Sequence, residues 1–173
     1  MNIISKFALA TDESTDTLLN LIIELASEKF GPKLETQQLN EFIEKYYNRK
    51  YFVSEMNSMS NQWIMVYVDN QAVGYARVTS RGKVPPAVDN MRAVRIGDFS
   101  ILEKFRDSQI MESLYDKCIS LCRFVDAIWI NEYIDNPFIE FFESKGFIKQ
   151  PEMYELDDIG LPSSCLIFKN RSH

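Results

Sequence analysis

Histidine is almost missing from this chain: of 173 residues only His173, the last, is one. Ser-His-Asp and Cys-His nucleophiles are therefore excluded, because each needs an imidazole inside the fold to take a proton. Cysteine is scarce too. Cys118, Cys122 and Cys165 make an odd number without metal-ligand spacing, so no structural zinc site is expected. No apolar run approaches the roughly 18 residues of a membrane span, and the stretch within Met1–Thr15 is too short for a signal peptide. The expected location is cytoplasmic, away from membranes. Positive charge is in deficit, with 19 Lys and Arg against 25 Asp and Glu and a net charge of −6. Without a basic cluster to grip phosphates, nucleic-acid binding is not expected. Glycine and proline, six of each, punctuate the chain without forming a linker, and no internal repeat is seen.

What is present is the material of a folded core. Apolar residues make up 46% and aromatics 13%, with charged residues at 25%, a balance that folds rather than staying solvated. The length suits one domain, taken as residues 1–170, with 171–173 as a tail or tag remnant. Ile3 to Leu9 reads as a strand. Thr11 to Ser14 supply helix-starting oxygens ahead of Leu18, Leu19, Ile22, Ile23 and Leu25 at helical spacing. Gly31-Pro32 stops that helix, and a second begins near Glu35, marked by Leu39, Phe42, Ile43, Tyr46 and Tyr47. Trp63–Val68 and Ala72–Val78 flank Asp69-Asn70-Gln71 as a β-hairpin.

The segment from Gly82 to Asn90, with Pro85-Pro86, is a loop, and Ala93–Leu102 is a strand in which Gly97 suggests a bulge or a close backbone approach. A helix from about Asp107 to Phe124 follows, with Ile110, Met111, Leu114, Cys118, Ile119, Leu121 and Cys122 on its apolar side. Cys118 and Cys122, four apart, share that face and are expected to be buried as small apolar groups. Ala127–Tyr133 is a strand. Pro137 sits at the first turn of a short aromatic helix, Phe138–Ser144, that ends before Gly146. Two strands close the chain, from Phe147 and over Ser164–Phe168. The expected fold is α/β: a mixed, mostly antiparallel sheet of about seven strands flanked by four helices, the fourth and fifth strands joined by a parallel crossover.

This order, with Ile101-Leu102-Glu103-Lys104-Phe105-Arg106 leading into a helix and Phe141-Phe142-Glu143-Ser144-Lys145-Gly146-Phe147 following it, resembles the GNAT superfamily of N-acetyltransferases. The resemblance covers nearly the whole chain. It implies an acyl-CoA, acetyl-CoA by default, as co-substrate, an amine as acceptor, no metal, and a monomer or homodimer. Its pyrophosphate would lie at a helix N-terminus, where free N–H groups and the helix dipole favour an anion. That turn maps on Arg106, Asp107, Ser108, Gln109, Ile110 and Met111. Arg106 matches the first position of the family's Arg/Gln-x-x-Gly-x-Gly/Ala pattern, whereas Gln109 and Met111 stand at the small-residue positions. The family's fourth strand bulges to pair with the pantetheine arm and splays from the fifth, which assigns Phe99, Ser100 and Ile101 to the co-substrate. Asn136, beside Asp135, falls near the asparagine that often helps hold CoA. Phe142 occupies the position where many members carry the tyrosine that protonates the departing thiolate, and phenylalanine has no proton to give.

Acetyl transfer requires a neutral amine, so a carboxylate is sought to take the proton. Asp98 on the fourth strand is the first candidate, Glu132 on the fifth is the second, and Tyr133 is a replacement acid, with Tyr75 and Tyr67 as further tyrosines. Arg95 falls near the place where several relatives have a glutamate. The expected activity is direct acetyl transfer to a primary amine in a ternary complex; a GNAT-like CoA- or ligand-binding regulatory domain with little or no catalysis is the alternative.

Overall fold

The computed structural model describes residues 1–155 and 159–170, so the 171–173 tail lies outside the described residues. The elements are β1 (Ile3–Phe7), α1 (Asp12–Phe30), α2 (Thr36–Tyr46), α3 (Arg49–Met56), β2 (Asn61–Val68), β3 (Gln71–Thr79), β4 (Ala93–Ile101), α4 (Ser108–Ser120), β5 (Ala127–Tyr133), α5 (Phe138–Ser144), β6 (Ile148–Glu155) and β7 (Pro162–Lys169). They form one mixed sheet of seven strands in the order β1-β2-β3-β4-β5-β7-β6. The chain clusters into two compact units: Met1–Arg77 with Asp98–Ser120, and Val78–Gly97 with the chain from Leu121 onward.

In the first unit, Thr11 caps α1 as its sequence suggests, its hydroxyl accepting from the Ser14 amide at 3.2 Å. The expected count of four helices is corrected to five by α3. Asn48 starts it by accepting from the Tyr51 amide at 2.9 Å, and Phe52 buries its one apolar face. Eight residues make barely two turns, too few for a 3.6-residue period to stand out. The β2-β3 hairpin turns on Asp69 and Asn70 alone, both at positive φ (48° and 69°), which is the two-residue turn whose twist matches the strands. Ser5 pairs with Val66 across β1 and β2, and its hydroxyl meets that of Ser113 at 2.8 Å, so α4 covers this face. Trp63, Met65 and Tyr75 point the other way, into a core with Leu18, Ile22, Leu25 and Phe52 from α1 and α3.

In the second unit, β4 and β5 run parallel as expected, in register at Ala93↔Ala127, Val94↔Ile128 and Arg95↔Trp129. The register stops there, although β5 continues to Tyr133, each of its residues paired antiparallel with β7. The ladder between β6 and β7 shifts register between Lys149 and Met153. The α5 helix ends as its sequence indicates, on Gly146 at φ 94°, a conformation side chains resist. The helix read as reaching Phe124 stops at Ser120, and Phe124 is left 84% exposed.

All three cysteines are buried thiols. Burial pushes Cys122 up to about 11; it does the same to Cys165, with the Glu152 charge adding to the shift and Arg95 opposing it. The folded protein is therefore expected to resist iodoacetamide at pH 8 and to take three adducts once unfolded. A folded pKa above the unfolded value means stability that is complete below the ordinary thiol pKa and lost as pH climbs from about 9 toward 11. Denaturant titrations across that range check the sign.

Candidate functional site

In the first unit, β4 leads into α4 through a tight turn. The Glu103 amide donates to Glu28 Oε2 of α1 (3.1 Å), the Arg106 amide to the Glu103 carbonyl (3.2 Å), and the Asp107 amide to the Phe105 carbonyl (2.8 Å). Arg106 Nε donates to the Ile101 carbonyl at 3.3 Å, folding the guanidinium back over the end of β4. A helix start leaves four N–H groups without intrahelical partners. Two of these are met outside the helix ladder, the Asp107 amide by the Phe105 carbonyl and the Gln109 amide by Asp107 Oδ1 (2.8 Å), while the Met111 amide makes the first helical bond, to the Asp107 carbonyl (3.0 Å). The amides of Ser108 and Ile110 make no hydrogen bond among the described residues. The turn thus retains donors for an anion, but its own carboxylate holds the amide of Gln109 and adds a negative charge.

Of the strand residues assigned to a co-substrate, Phe99 and Ile101 are buried in the core, as is Ile110 of α4, while Ser100 is half-buried. Gly74 of β3 lies so close to β4 that a Cβ there would stand 2.7 Å from the Ser100 carbonyl oxygen.

Asp98 sits on the face of the sheet covered by α1 and α3, the side of Leu102. Its Oδ2 is 3.1 Å from Arg77 Nε, a close ion pair whose angle falls short of a hydrogen bond. Glu55, from α3, places Oε2 3.7 Å from Arg77 Nη1, so one guanidinium stands between two carboxylates. It also lies over the Trp63 ring at 5.5 Å, and Trp63 stacks on Tyr75 with centroids 6.2 Å apart. Burial works against the charge of Arg77, but Asp98, then Tyr75, Tyr47 and Glu55, favour it, and the balance raises its pKa above the ordinary guanidinium value. The cluster carries a net charge of about −1 when all three groups are ionised.

The other candidates lie in the second unit. Glu132 is buried, and its Oε1 accepts from the Tyr133 amide at 3.2 Å. Tyr133, also buried, donates its hydroxyl to Asp135 Oδ2 at 2.8 Å. Asn136 Oδ1 accepts from the Phe138 amide at 2.8 Å, so this side chain starts α5. Phe142 is 1% exposed between Phe141 and Phe147, with ring centroids 5.6 and 5.3 Å away. A tyrosine there would bury its hydroxyl among rings. Arg95 lies over Trp129 at 4.9 Å and, beside Cys165, is part of the packing below the Gly82 loop. Among the described residues there is no cluster of three or more His, Cys, Asp or Glu able to hold a metal, and no helix is long and apolar enough to cross a membrane.

Sequence reasoning missed Arg77 and Glu55. Arg77 was visible as the one charge inside an otherwise apolar strand, Ala72–Val78, and Glu55 was hidden with the helix that carries it.

No family model matches the sequence. The structure is similar over nearly its whole length to the PaiA N-acetyltransferase of Thermoplasma acidophilum, solved in complex with coenzyme A, with a TM-score of 0.74 at 11% identity over 98% of this chain and 100% of that one. It is similar also to a GCN5-related N-acetyltransferase of Rhodopseudomonas palustris (TM-score 0.70, 11% identity, 98% and 97% covered). An N-acetyltransferase of Staphylococcus aureus Mu50 aligns with a TM-score of 0.67 at 13% identity, covering 98% and 99%. The fold is that of the GNAT N-acetyltransferases, as the sequence resemblance implied.

Proposed function

We propose that residues 1–170 act as one acyl-CoA-dependent N-acyltransferase domain, passing acetyl from acetyl-CoA to a primary amine by direct transfer in a ternary complex. The observation that carries the reading is the β4-α4 turn on this fold. Arg106 and the amides of Ser108 and Ile110 form a donor set suited to a pyrophosphate at the start of a 13-residue helix. The amides of Phe99, Ser100 and Ile101 are assigned to the arm and the thioester carbonyl. Asp98 takes a proton from the substrate ammonium, directly or through a water, freeing the amine lone pair to attack the thioester carbonyl, with Arg77 fixing the carboxylate. Glu132 is the second base, and Tyr133, already donating to Asp135, the acid that replaces the family's tyrosine.

Calorimetry with acetyl-CoA tests this. Wild type binds, and Arg106→Ala weakens binding about tenfold, the usual worth of a hydrogen bond to a charged group. Asp107→Asn keeps an oxygen on the Gln109 amide while removing a like charge from beside the phosphates, so it tightens binding about two- to fivefold. Absence of wild-type binding at millimolar ligand sinks the enzyme reading, and an unchanged Arg106→Ala protein shows the pyrophosphate to lie elsewhere.

A second reading is favoured by the Asp107 carboxylate at the anion site and by the sealed Phe142 ring: a GNAT-like CoA- or ligand-binding regulatory domain with little catalysis. Turnover of any amine above the non-enzymatic rate excludes it.

A further inference from the structure

Arg77 faces two carboxylates of unequal setting. The side chain of Glu55 is 12% exposed, that of Arg77 21% and that of Asp98 29%, so the cluster is closed at Glu55 and opens toward solvent at Asp98. Glu55 is pinned at the closed end. Asn61, buried at the start of β2, donates from Nδ2 to the Glu55 carbonyl (3.1 Å) and to Glu55 Oε2 (3.2 Å), and Trp63 Nε1 donates to the same carbonyl (3.4 Å). Neither carboxylate grips Arg77 by a directional bond: Glu55 Oε2 stands 3.7 Å from Nη1, beyond hydrogen-bond reach, and Asp98 Oδ2 meets Nε at 3.1 Å off the N–H direction. They act on Arg77, and on each other, through charge. A cation beside a carboxylate opposes its protonation, and a second anion nearby favours it. The titratable groups bearing on Arg77 are Asp98 of β4, Tyr75 of β3, Tyr47 just past α2 and Glu55 of α3. Phenols are uncharged at neutral pH, so among these Glu55 is the charge that offsets Arg77 from the side away from Asp98.

We infer that Glu55 is a positioning residue for Asp98: seated by Asn61, its carboxylate divides the field of Arg77 and leaves Asp98 able to take up a proton that an undivided Arg77 would oppose. The reading of Asp98 as the base gives this its bearing on the rate, but the proton uptake itself is measurable without turnover.

The test is a carbon-13 NMR titration of the Asp98 carboxyl, identified by the signal that Asp98→Asn protein lacks. Glu55→Gln keeps the shape and an oxygen for Asn61 while removing the charge. The proton affinity of Asp98 is expected to fall about three- to tenfold, a midpoint about 0.5 to 1 pH unit lower than in wild type, as for one charge lost from a partly buried cluster. Glu55→Asp, which keeps the charge but draws it back from Arg77, shifts the midpoint less in the same direction and serves if Glu55→Gln does not fold. In acetyl transfer, the acid limb of kcat moves to lower pH by the same amount while acetyl-CoA binding stays as in wild type. A midpoint that stays in place or rises in these variants overturns the inference, and Glu55 then serves stability alone. A midpoint that falls while the acid limb of kcat stays put supports the inference and removes Asp98 from the chemistry instead.

Discussion

Asp98→Asn protein is expected to lose acetyl transfer by a factor of about 10² to 10⁴, the usual contribution of a positioned general base, while binding acetyl-CoA as wild type does. Asp98 is the carboxylate that β4 holds in place: Arg77 Nε, 3.1 Å away, fixes it from β3, and Glu55 holds Arg77 in turn from α3. The asparagine has nearly the same shape and retains a weaker contact with the guanidinium, but it has no basic oxygen for an ammonium proton. The lost step is therefore chemical. Rates at saturating acetyl-CoA, measured from pH 6 to pH 9 with calorimetry and thermal unfolding alongside, separate the two roles. A slowed variant that binds acetyl-CoA normally and unfolds near the wild-type temperature supports Asp98 as base. A variant that keeps its rate removes Asp98 from the chemistry, and one that loses rate and folding together assigns it to the ion-pair cluster alone.

Gly74→Val is expected to destabilise the fold by about 3 kcal/mol or more, the scale of overpacking against groups that cannot yield. A Cβ at 74 would stand 2.7 Å from the Ser100 carbonyl oxygen, 2.8 Å from Ile101 Cγ1 and 3.0 Å from Val66 Cγ1. The carbonyl is backbone of β4, and the Leu102 amide is tied to the Val73 carbonyl at 2.9 Å, so the two strands are not free to part. At roughly 2–4 °C per kcal/mol for a chain of this size, the melting temperature falls by about 6–12 °C. An unchanged melting temperature shows that β3 and β4 stand further apart than described. Position 74 also bears on function, because Ser100 and Ile101 are the strand residues assigned to the co-substrate.

Much of the fold is legible in the sequence because local chemistry and pattern agree there. Thr11 before Asp12 and Glu13, Asp69-Asn70 between two apolar runs, and Gly146 after an aromatic helix each announce a boundary that the backbone respects. The α3 helix is not legible. Its only signal is Asn48, and its eight residues follow so closely on α2 that the apolar spacing merges with what precedes it. The end of α4 was overrun for a related reason: Leu121 and Cys122 continue the apolar pattern, but Cys122 is buried after the helix has stopped. Among the candidate site residues, Arg106 and Asp98 could be named from the sequence, whereas their settings could not. That Asp107 uses the amide of Gln109 depends on a side-chain rotamer, and that Asp98 meets Arg77 and Glu55 depends on three elements far apart in sequence. No spacing encodes either.

The shifted ladder between Lys149 and Met153 has a consequence outside this molecule. The β6 strand lies at the rim of the sheet, and Pro151 falls within the irregular stretch. Proline has no amide to offer, and a local bulge twists the neighbouring donors out of line. A second chain approaching this rim finds no regular row of N–H and C=O groups to join. Pro151 thus interrupts this rim in the way gatekeeper residues do, and by that argument disfavours edge-to-edge pairing along it.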